Sequence, residues 1–216
     1  LAALVHRNKT GEGQKVDTSL FEAGIVHTYW QSAIAGATGQ SPGPLGSAHP
    51  LTAPYQAFKT MDKWITVGAS NQNTWLMLLK AINRMDLQEN EMFSSNFNRK
   101  KNITQLVEIL NAELIKKTSD EWLKIFDDNG LPCGPINSIN EMFEDPQTIE
   151  REMIIEVDNK KAGTSKAIGM PIKFSKSKTE KSKGAPNLGE HTKEIMKIFD
   201  YNDEQIEDFY NRKVIL

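Results

Sequence analysis

The side chains of this sequence that could carry chemistry are few, and their spacing completes no metal site. Four histidines occur among 216 residues, and their positions share none of the spacings that zinc sites use. The single cysteine, Cys133, has no histidine near it in sequence and begins no predicted helix, so we predict a structural thiol instead of a nucleophile. The histidines are His6, His27, His49 and His191.

Sequence motifs for nucleophilic or phosphate chemistry are missing or incomplete. Neither a G-x-S-x-G turn nor a G-K-[ST] phosphate loop occurs. Gly11-x-Gly13 lacks the third glycine of the dinucleotide fingerprint and follows a predicted helix, whereas the fingerprint follows a strand. Asp17 stands at the end of a short predicted strand, where a structural hydrogen bond is the favoured interpretation.

The best candidate for the wall of a binding site is the loop over residues 43–52. Glycines and prolines punctuate it, and it carries one histidine, His49, with a hydroxyl close by on Ser47. Loops held by a rigid scaffold are common places for binding residues.

A predicted β-hairpin holds this loop. Residues 55–58 and 64–67 alternate apolar and polar side chains, and residues 61–63 can form the turn between them. Helical spacing predicts helices over residues 20–37, 103–115 and 120–128, with Ser19 and either Thr118 or Ser119 as caps. Further strands are predicted over residues 15–18, 153–157 and 165–168.

Three other segments carry specific predictions. Residues 131–136 contain two prolines and predict an extended connector. The basic cluster at residues 99–101 predicts a solvated surface, with a contact to an anionic ligand as the alternative. Residues 176–183 are rich in lysine and serine and predict an exposed loop.

Composition excludes several classes of partner. A hydrophobic content of 38% with 25% charged residues is typical of a soluble globular protein. The net charge of −2 gives no reason to expect nucleic acid or an anionic membrane as a partner, and no apolar run is long enough to span a bilayer. One cysteine allows no internal disulfide, which favours the cytoplasm, or the mitochondrion in a eukaryote. The apolar start at residues 1–5 lacks a cap residue and an initiator methionine, so we expect the chain to begin within a domain.

Several stretches taken together resemble the C-terminal half of the family III CoA-transferases, the CaiB/BaiF-like group that includes formyl-CoA and carnitine CoA-transferases. Each stretch is weak alone, but their order along nearly the whole chain is specific. They are TGEGQKVDTSL from Thr10, PYQAFKT from Pro54, LPCGPI from Leu131, DPQ from Asp145, GMP from Gly169 and LGEHT from Leu188.

The resemblance implies an α/β fold with a partial Rossmann-like large domain and a smaller α+β domain. Residues 1–40 would end the large domain and include a linker helix, residues 41–150 would form the small domain, and residues 151–216 would return to the large domain. Members of the family are interlocked homodimers. This implies that the chain alone completes neither the large domain nor the dimer.

The resemblance also implies a reaction that moves CoA from an acyl-CoA to a small carboxylic acid, with CoA thioester as substrate and no separate cofactor. In the family an aspartate forms an aspartyl-CoA intermediate, and it lies before the helix with which this chain opens. We therefore expect no catalytic residue here and an inactive fragment. The segment over residues 43–52 resembles the family's active-site flap, and the run Gly46-x-Ala48-His49 with residues 54–60 resembles members that use dicarboxylic acids with succinyl-CoA. The resemblance implies that the substrate-binding residues are Gly46, Ser47, Ala48, His49 and Pro50.

Two questions stay open at this point. Pro44 and Pro50 would stiffen the flap, and His49 with Ser47 either contacts the acceptor acid or has only a structural role. An acyl-CoA racemase of the same superfamily would instead need an acid/base pair at the α-carbon, implied to lie upstream. A non-catalytic interaction module predicts a stable monomer, which the exposed apolar residues expected near the N-terminus disfavour.

Overall fold

The computed structural model describes residues 1–177 and 184–216, which divide into two compact units. The first unit is Leu1–Pro135 and the second is Ile136–Leu216. Most of the lysine-rich loop predicted at residues 176–183 lies outside the described residues. The domain boundaries expected at residues 40 and 150 stay predictions. Among the described residues, no helix has the length and apolar character needed to cross a bilayer.

The first unit contains seven helices and three strands among its described elements, with short 3-10 turns at Met85–Gln88 and Glu91–Phe93. In chain order the elements are α1 Ala2–Thr10, α2 Leu20–His27, α3 Tyr29–Thr38, β1 Tyr55–Lys59, β2 Trp64–Gly68, α4 Gln72–Ala81, α5 Asn96–Lys101, α6 Ile103–Leu114, α7 Ser119–Asp128 and β3 Cys133–Pro135.

The second unit is built around a β-hairpin. Its strands, β4 (Ile154–Asn159) and β5 (Gly163–Ile168), pair antiparallel. The strands predicted over residues 153–157 and 165–168 are therefore confirmed. The elements are α8 Ile139–Glu144, α9 Pro146–Glu150, β4 Ile154–Asn159, β5 Gly163–Ile168, α10 Thr192–Ile198 and α11 Asp203–Asn211.

A three-stranded antiparallel sheet in the order β1-β2-β3 forms one wall of the core in the first unit. Phe58 faces Ile65 across the first pair, and Val67 faces Cys133 across the second. The alternation predicted for the second strand is confirmed, because Ile65 and Val67 are buried and the residue between them is exposed. In the first strand Phe58 is buried, but Tyr55 is exposed, so the alternation is not seen there. Full burial of a side chain of this size contributes about 1.5–3 kcal/mol to the free energy of unfolding.

Helices α4, α6 and α7 complete this core. Leucines four positions apart on α6 lie on one face of the helix and are fully buried, as the helical spacing predicts. The buried apolar residues that the helices contribute are Trp75, Leu78, Leu79, Leu106, Leu110, Leu114, Trp122 and Phe126. The predicted cap at residue 118 is confirmed, because Thr118 and Glu121 form a reciprocal capping box.

Two predictions of secondary structure are wrong. Residues 15–18 form no strand, because nothing in the described chain pairs with them and the backbone needs a partner strand. The helix predicted over residues 20–37 breaks at Thr28, whose hydroxyl donates to the carbonyl oxygen of Ile25 at 2.7 Å. The connector at residues 131–136 is extended, but it also contributes β3 to the sheet.

The prediction of a solvated surface at residues 99–101 is wrong for Arg99. Its side chain is fully buried, and its guanidinium lies over the ring of Trp75, 5.0 Å from the ring centroid. Burial lowers the pKa of Arg99. The prediction failed because the sequence of a basic cluster does not show whether each of its side chains faces the solvent or the core. Lys100 is half-buried and Lys101 is exposed.

The turn between β1 and β2 is tied to the start of α7 by Asp62. One carboxylate oxygen of Asp62 accepts hydrogen bonds from the backbone N–H of Ser119 at 2.8 Å and from the hydroxyl of Thr60 at 2.9 Å. Its other oxygen accepts the Ser119 hydroxyl at 3.2 Å. These bonds, the one from the Ser119 backbone first, lower the pKa of Asp62 to about 2 from an ordinary 3.8.

The Asp62→Asn variant should have a lower urea midpoint of unfolding than the wild type near neutral pH. The pKa of Asp62 is lower in the folded state than in the unfolded state, so its ionised form stabilises the fold above pH about 4. That contribution is lost as the pH falls towards about 2, where the two midpoints should converge. Asp120→Asn, an exposed change in the first turn of the same helix, is the control. A midpoint difference that stays constant over this pH range would contradict the account.

Candidate functional site

The loop over residues 43–52 lies along the free edge of β1. The backbone N–H of His49 donates to the carbonyl oxygen of Tyr55 at 2.9 Å, and the backbone N–H of Ala57 donates to the Ser47 hydroxyl oxygen at 3.1 Å. A turn brings the chain to this edge, and Gly46 adopts a positive φ of 59° within it, which glycine tolerates without strain. The loop thus covers an edge that would otherwise leave its backbone groups unpaired.

The imidazole of His49 organises the chain that follows it. Its Nδ1 lies 3.1 Å from three possible donors, which are the backbone N–H of Leu51, the backbone N–H of Thr52 and the Thr52 hydroxyl. A backbone N–H can only donate, so Nδ1 must accept. We therefore assign the neutral tautomer that carries its proton on Nε2.

Two aromatic rings fix the plane of this imidazole. The ring of Tyr55 is stacked on it, with 5.2 Å between centroids and 3° between planes, and Trp30 of α3 meets it edge-on at 5.2 Å. His49 is half-buried. Within the described residues no side chain or backbone group hydrogen-bonds to Nε2, so its N–H is left as a donor for a ligand.

The other predicted site residues lie in the same loop. Gly46 and Ser47 are exposed, whereas Ala48 and Pro50 are half-buried. The Ser47 oxygen accepts the Ala57 N–H, which leaves its own hydroxyl hydrogen to donate. The substrate-binding role of all five residues stays a prediction.

A cleft of about 380 Å³ is lined in part by Tyr55. Tyr55 connects this cleft to His49, because the Tyr55 ring stacks on the imidazole. The remaining lining residues are Thr66, Gly68, Ser70, Pro132 and Cys133. This lining offers hydroxyl groups and apolar surface with no formal charge, which suits an uncharged part of a small molecule.

The thiol and the carboxylate singled out in the sequence show no catalytic features. Burial, with a smaller effect from Asp127, raises the pKa of Cys133, which keeps the thiol protonated and supports its structural role. Asp17 is exposed and its carboxylate pairs with Lys15 at 2.7 Å. An exposed pair of this kind contributes little to stability. Residues 1–177 and 184–216 contain no cluster of three or more His, Cys, Asp or Glu placed to hold a metal ion.

Residues that sequence reasoning missed complete the surroundings of His49. Trp30 and Tyr55 fix its ring, and three side chains of α5, taken up below, bind the backbone of its loop. Tyr55 could have been found, because it lies at the loop end of a predicted strand. The residues next to Trp30 in sequence gave no sign of its contact with His49, because that contact depends on how α3 packs.

Comparison with known proteins finds similarity to proteins that are named for CoA transfer. A model of CoA-transferase family III matches residues 1–192. An acyl-CoA transferase of Fusarium pseudograminearum is 36% identical over the whole chain, and a succinyl-CoA:glutarate CoA-transferase of Mus musculus is 32% identical over 96% of it. The chain covers 48% of each of these two proteins.

A solved structure shows the same fold. A CaiB/BaiF family protein from Brucella suis matches 91% of this chain with a TM-score of 0.77 and 29% identity, and the match covers 51% of that protein. The chain thus spans about half the length of its relatives and carries a partial form of the family's α/β fold, with helices and small sheets, as the sequence predicted. On its sequence and its fold, the chain belongs to CoA-transferase family III.

Proposed function

We propose that the protein to which this chain belongs transfers CoA from an acyl-CoA donor to a free dicarboxylic acid. The observation that carries the proposal is the family match over residues 1–192. The mouse relative, named for succinyl-CoA and glutarate, supports succinyl-CoA as donor and a small dicarboxylate as acceptor. The lone cysteine supports a reducing compartment, either the cytoplasm or, in a eukaryote, the mitochondrion.

The proposed chemistry uses an enzyme carboxylate as nucleophile. An aspartate oxygen attacks the thioester carbonyl and expels CoA thiolate, which leaves a mixed anhydride. The thiolate then attacks the aspartyl carbonyl, releases the donor acid and forms an aspartyl-CoA thioester. The acceptor carboxylate reverses these steps and leaves as its own CoA thioester. No aspartate of this chain is assigned to that role, and we place the nucleophile upstream of residue 1.

The proposed contribution of this chain is to bind the acceptor acid. The Nε2–H of His49 is a fixed donor stacked on Tyr55, which lines a small cleft, and the Ser47 hydroxyl offers a second donor in the same loop. A neutral donor can bind a carboxylate without forming a fixed ion pair with it, so the acid can still act as a nucleophile. The cleft beyond Tyr55 would hold the uncharged carbon chain.

Assembly as a homodimer forms part of the proposal. Helix α2 carries large apolar side chains at Leu20, Phe21, Ile25 and Val26, and all four are more than half exposed. At 3.6 residues per turn these positions point to different sides of the helix. A helix that is apolar all round is usually enclosed by other protein. The exposed apolar side chains of α2 therefore support its enclosure in an interlocked homodimer.

CoA exchange is the direct test of the proposed function. The protein at its full natural length, incubated with succinyl-CoA and glutarate, should form glutaryl-CoA and free succinate in equal amounts. Mass spectrometry of the quenched enzyme should show CoA bound to one aspartate. Racemisation of a chiral acyl-CoA without any exchange would instead support the sibling activity and reject CoA transfer.

His49→Ala should raise the KM for the acceptor acid by roughly ten- to a hundredfold, since hydrogen bonds to charged groups contribute about 1.5–3 kcal/mol. The KM for the CoA donor should change much less, because the imidazole is proposed to contact only the acid. His6→Ala removes an exposed imidazole elsewhere in the chain and serves as the control. Equal changes in both KM values would rule out a specific role in acceptor binding.

A further inference from the structure

One face of the short helix α5 binds the backbone of the loop that carries His49. Asn96, Arg99 and Lys100 are spaced at positions i, i+3 and i+4, which share a face of a helix. All three side chains hydrogen-bond to the segment between His49 and Ala53. Side chains at this spacing often contact each other on one helix, but here all three contact another part of the chain.

The side chains of α5 bind every second residue from His49 to Ala53. The side-chain amide of Asn96 donates to the carbonyl oxygen of Leu51 at 2.8 Å and accepts the backbone N–H of Ala53 at 3.0 Å. Arg99 Nε donates to the carbonyl oxygen of Ala53 at 2.8 Å, and Lys100 Nζ donates to the carbonyl oxygen of His49 at 3.0 Å. These four bonds use only main-chain atoms of the loop.

The α5 side of this contact is fixed to the core. Arg99 is fully buried over Trp75, and its Nη1 donates to the Phe93 carbonyl oxygen at 3.0 Å and to the Gln72 side chain at 3.1 Å. Ser95 caps the helix by accepting the N–H of Asn98 at 3.2 Å. A buried guanidinium is costly to move, so α5 is the rigid partner and the loop is the part that it positions.

Lys100 binds the backbone of His49, whereas Leu51 and Thr52 bind its ring. The backbone N–H of His49 is held by β1, its carbonyl oxygen by Lys100, and its ring by Leu51 and Thr52. Release of the carbonyl oxygen would free the peptide that joins His49 to Pro50. The ring could then lose its alignment with the N–H groups of residues 51 and 52.

We infer that Asn96, Arg99 and Lys100 are positioning residues that hold the His49 loop in the geometry required to bind the acceptor acid. They act through the loop backbone. The kinetic consequence rests on the proposed function, whereas the structural consequence does not. The inference therefore has two separate tests on the same variants.

The structural test is hydrogen exchange at the amides of Leu51 and Thr52 in the protein at its full natural length. Lys100→Met removes the bond to His49 but touches neither of these amides directly. Their exchange should become faster by about fivefold or more, the change expected for the loss of one hydrogen bond. Lys101→Met, an exposed neighbour on the same helix, should leave the rates unchanged. Lys100→Arg keeps a donor and should restore most of the protection.

A second variant distinguishes positioning of the whole loop from the local loss of one hydrogen bond. Asn96→Leu removes the acceptor of the Ala53 amide, so faster exchange at Ala53 is expected whether or not the rest of the loop moves. The informative amide is that of His49, which is bonded to Tyr55 and not to Asn96. Faster exchange at His49, with unchanged rates in α6, supports positioning of the whole loop. Unchanged rates at residues 49, 51 and 52 in both variants would overturn the inference.

The kinetic test separates this inference from the proposed function. In an enzyme that exchanges CoA, Lys100→Met should raise the KM for the acceptor acid several-fold with little change in the KM for the donor, and Lys101→Met should change neither. An unaltered acceptor KM despite faster exchange would reject the positioning role for binding. A wild-type protein without CoA transfer would defeat the proposed function, while the exchange rates would still decide whether α5 holds the loop.

Discussion

The hydrogen bonds that hold residues 47–53 are the constraint on which the candidate site depends. Strand β1 binds the backbone N–H of His49 through Tyr55 and the hydroxyl of Ser47 through Ala57, and α5 binds the backbone from His49 to Ala53. A partly buried loop needs partners for its main-chain groups, and both neighbours supply them. The stiffening of the loop expected from Pro44 and Pro50 is therefore supplemented by hydrogen bonds from β1 and α5. His49 is held by these neighbouring elements as well as by its own loop.

A chain of contacts links the apolar core of the first unit to His49. The buried face of the β1-β2-β3 sheet packs against α4, α6 and α7, and Trp75 of α4 provides the surface on which Arg99 rests. Arg99 binds Ala53, and the same helix face binds the carbonyl oxygen of His49 through Lys100. A single continuous network thus joins the apolar core to an imidazole near the surface. Changes in α5 should reach His49 without altering any residue that we propose to contact the acid.

Sequence patterns predicted the features that depend on local chemistry. The central hairpin, the cap at Thr118 and the β4-β5 hairpin each follow from residues close together in the chain. The prediction of a solvated surface at Arg99 and of a strand at residues 15–18 failed because burial and strand pairing are decided by distant segments. His49 could be selected as the single histidine of a loop rich in glycine and proline. Its contacts with Trp30 and α5 could not be foreseen, since each depends on packing between separate elements.

The central claim is that His49 presents a neutral imidazole whose Nε2–H donates to the carboxylate of the acceptor acid. Nitrogen-15 NMR of the histidine rings in the full-length protein tests it most directly, because the two ring nitrogens have different shifts in each tautomer. We expect an unprotonated Nδ1, a protonated Nε2, and a change in the Nε2 signal when the dicarboxylate is added. A proton on Nδ1, or an Nε2 signal that saturating acid leaves unchanged, would contradict it.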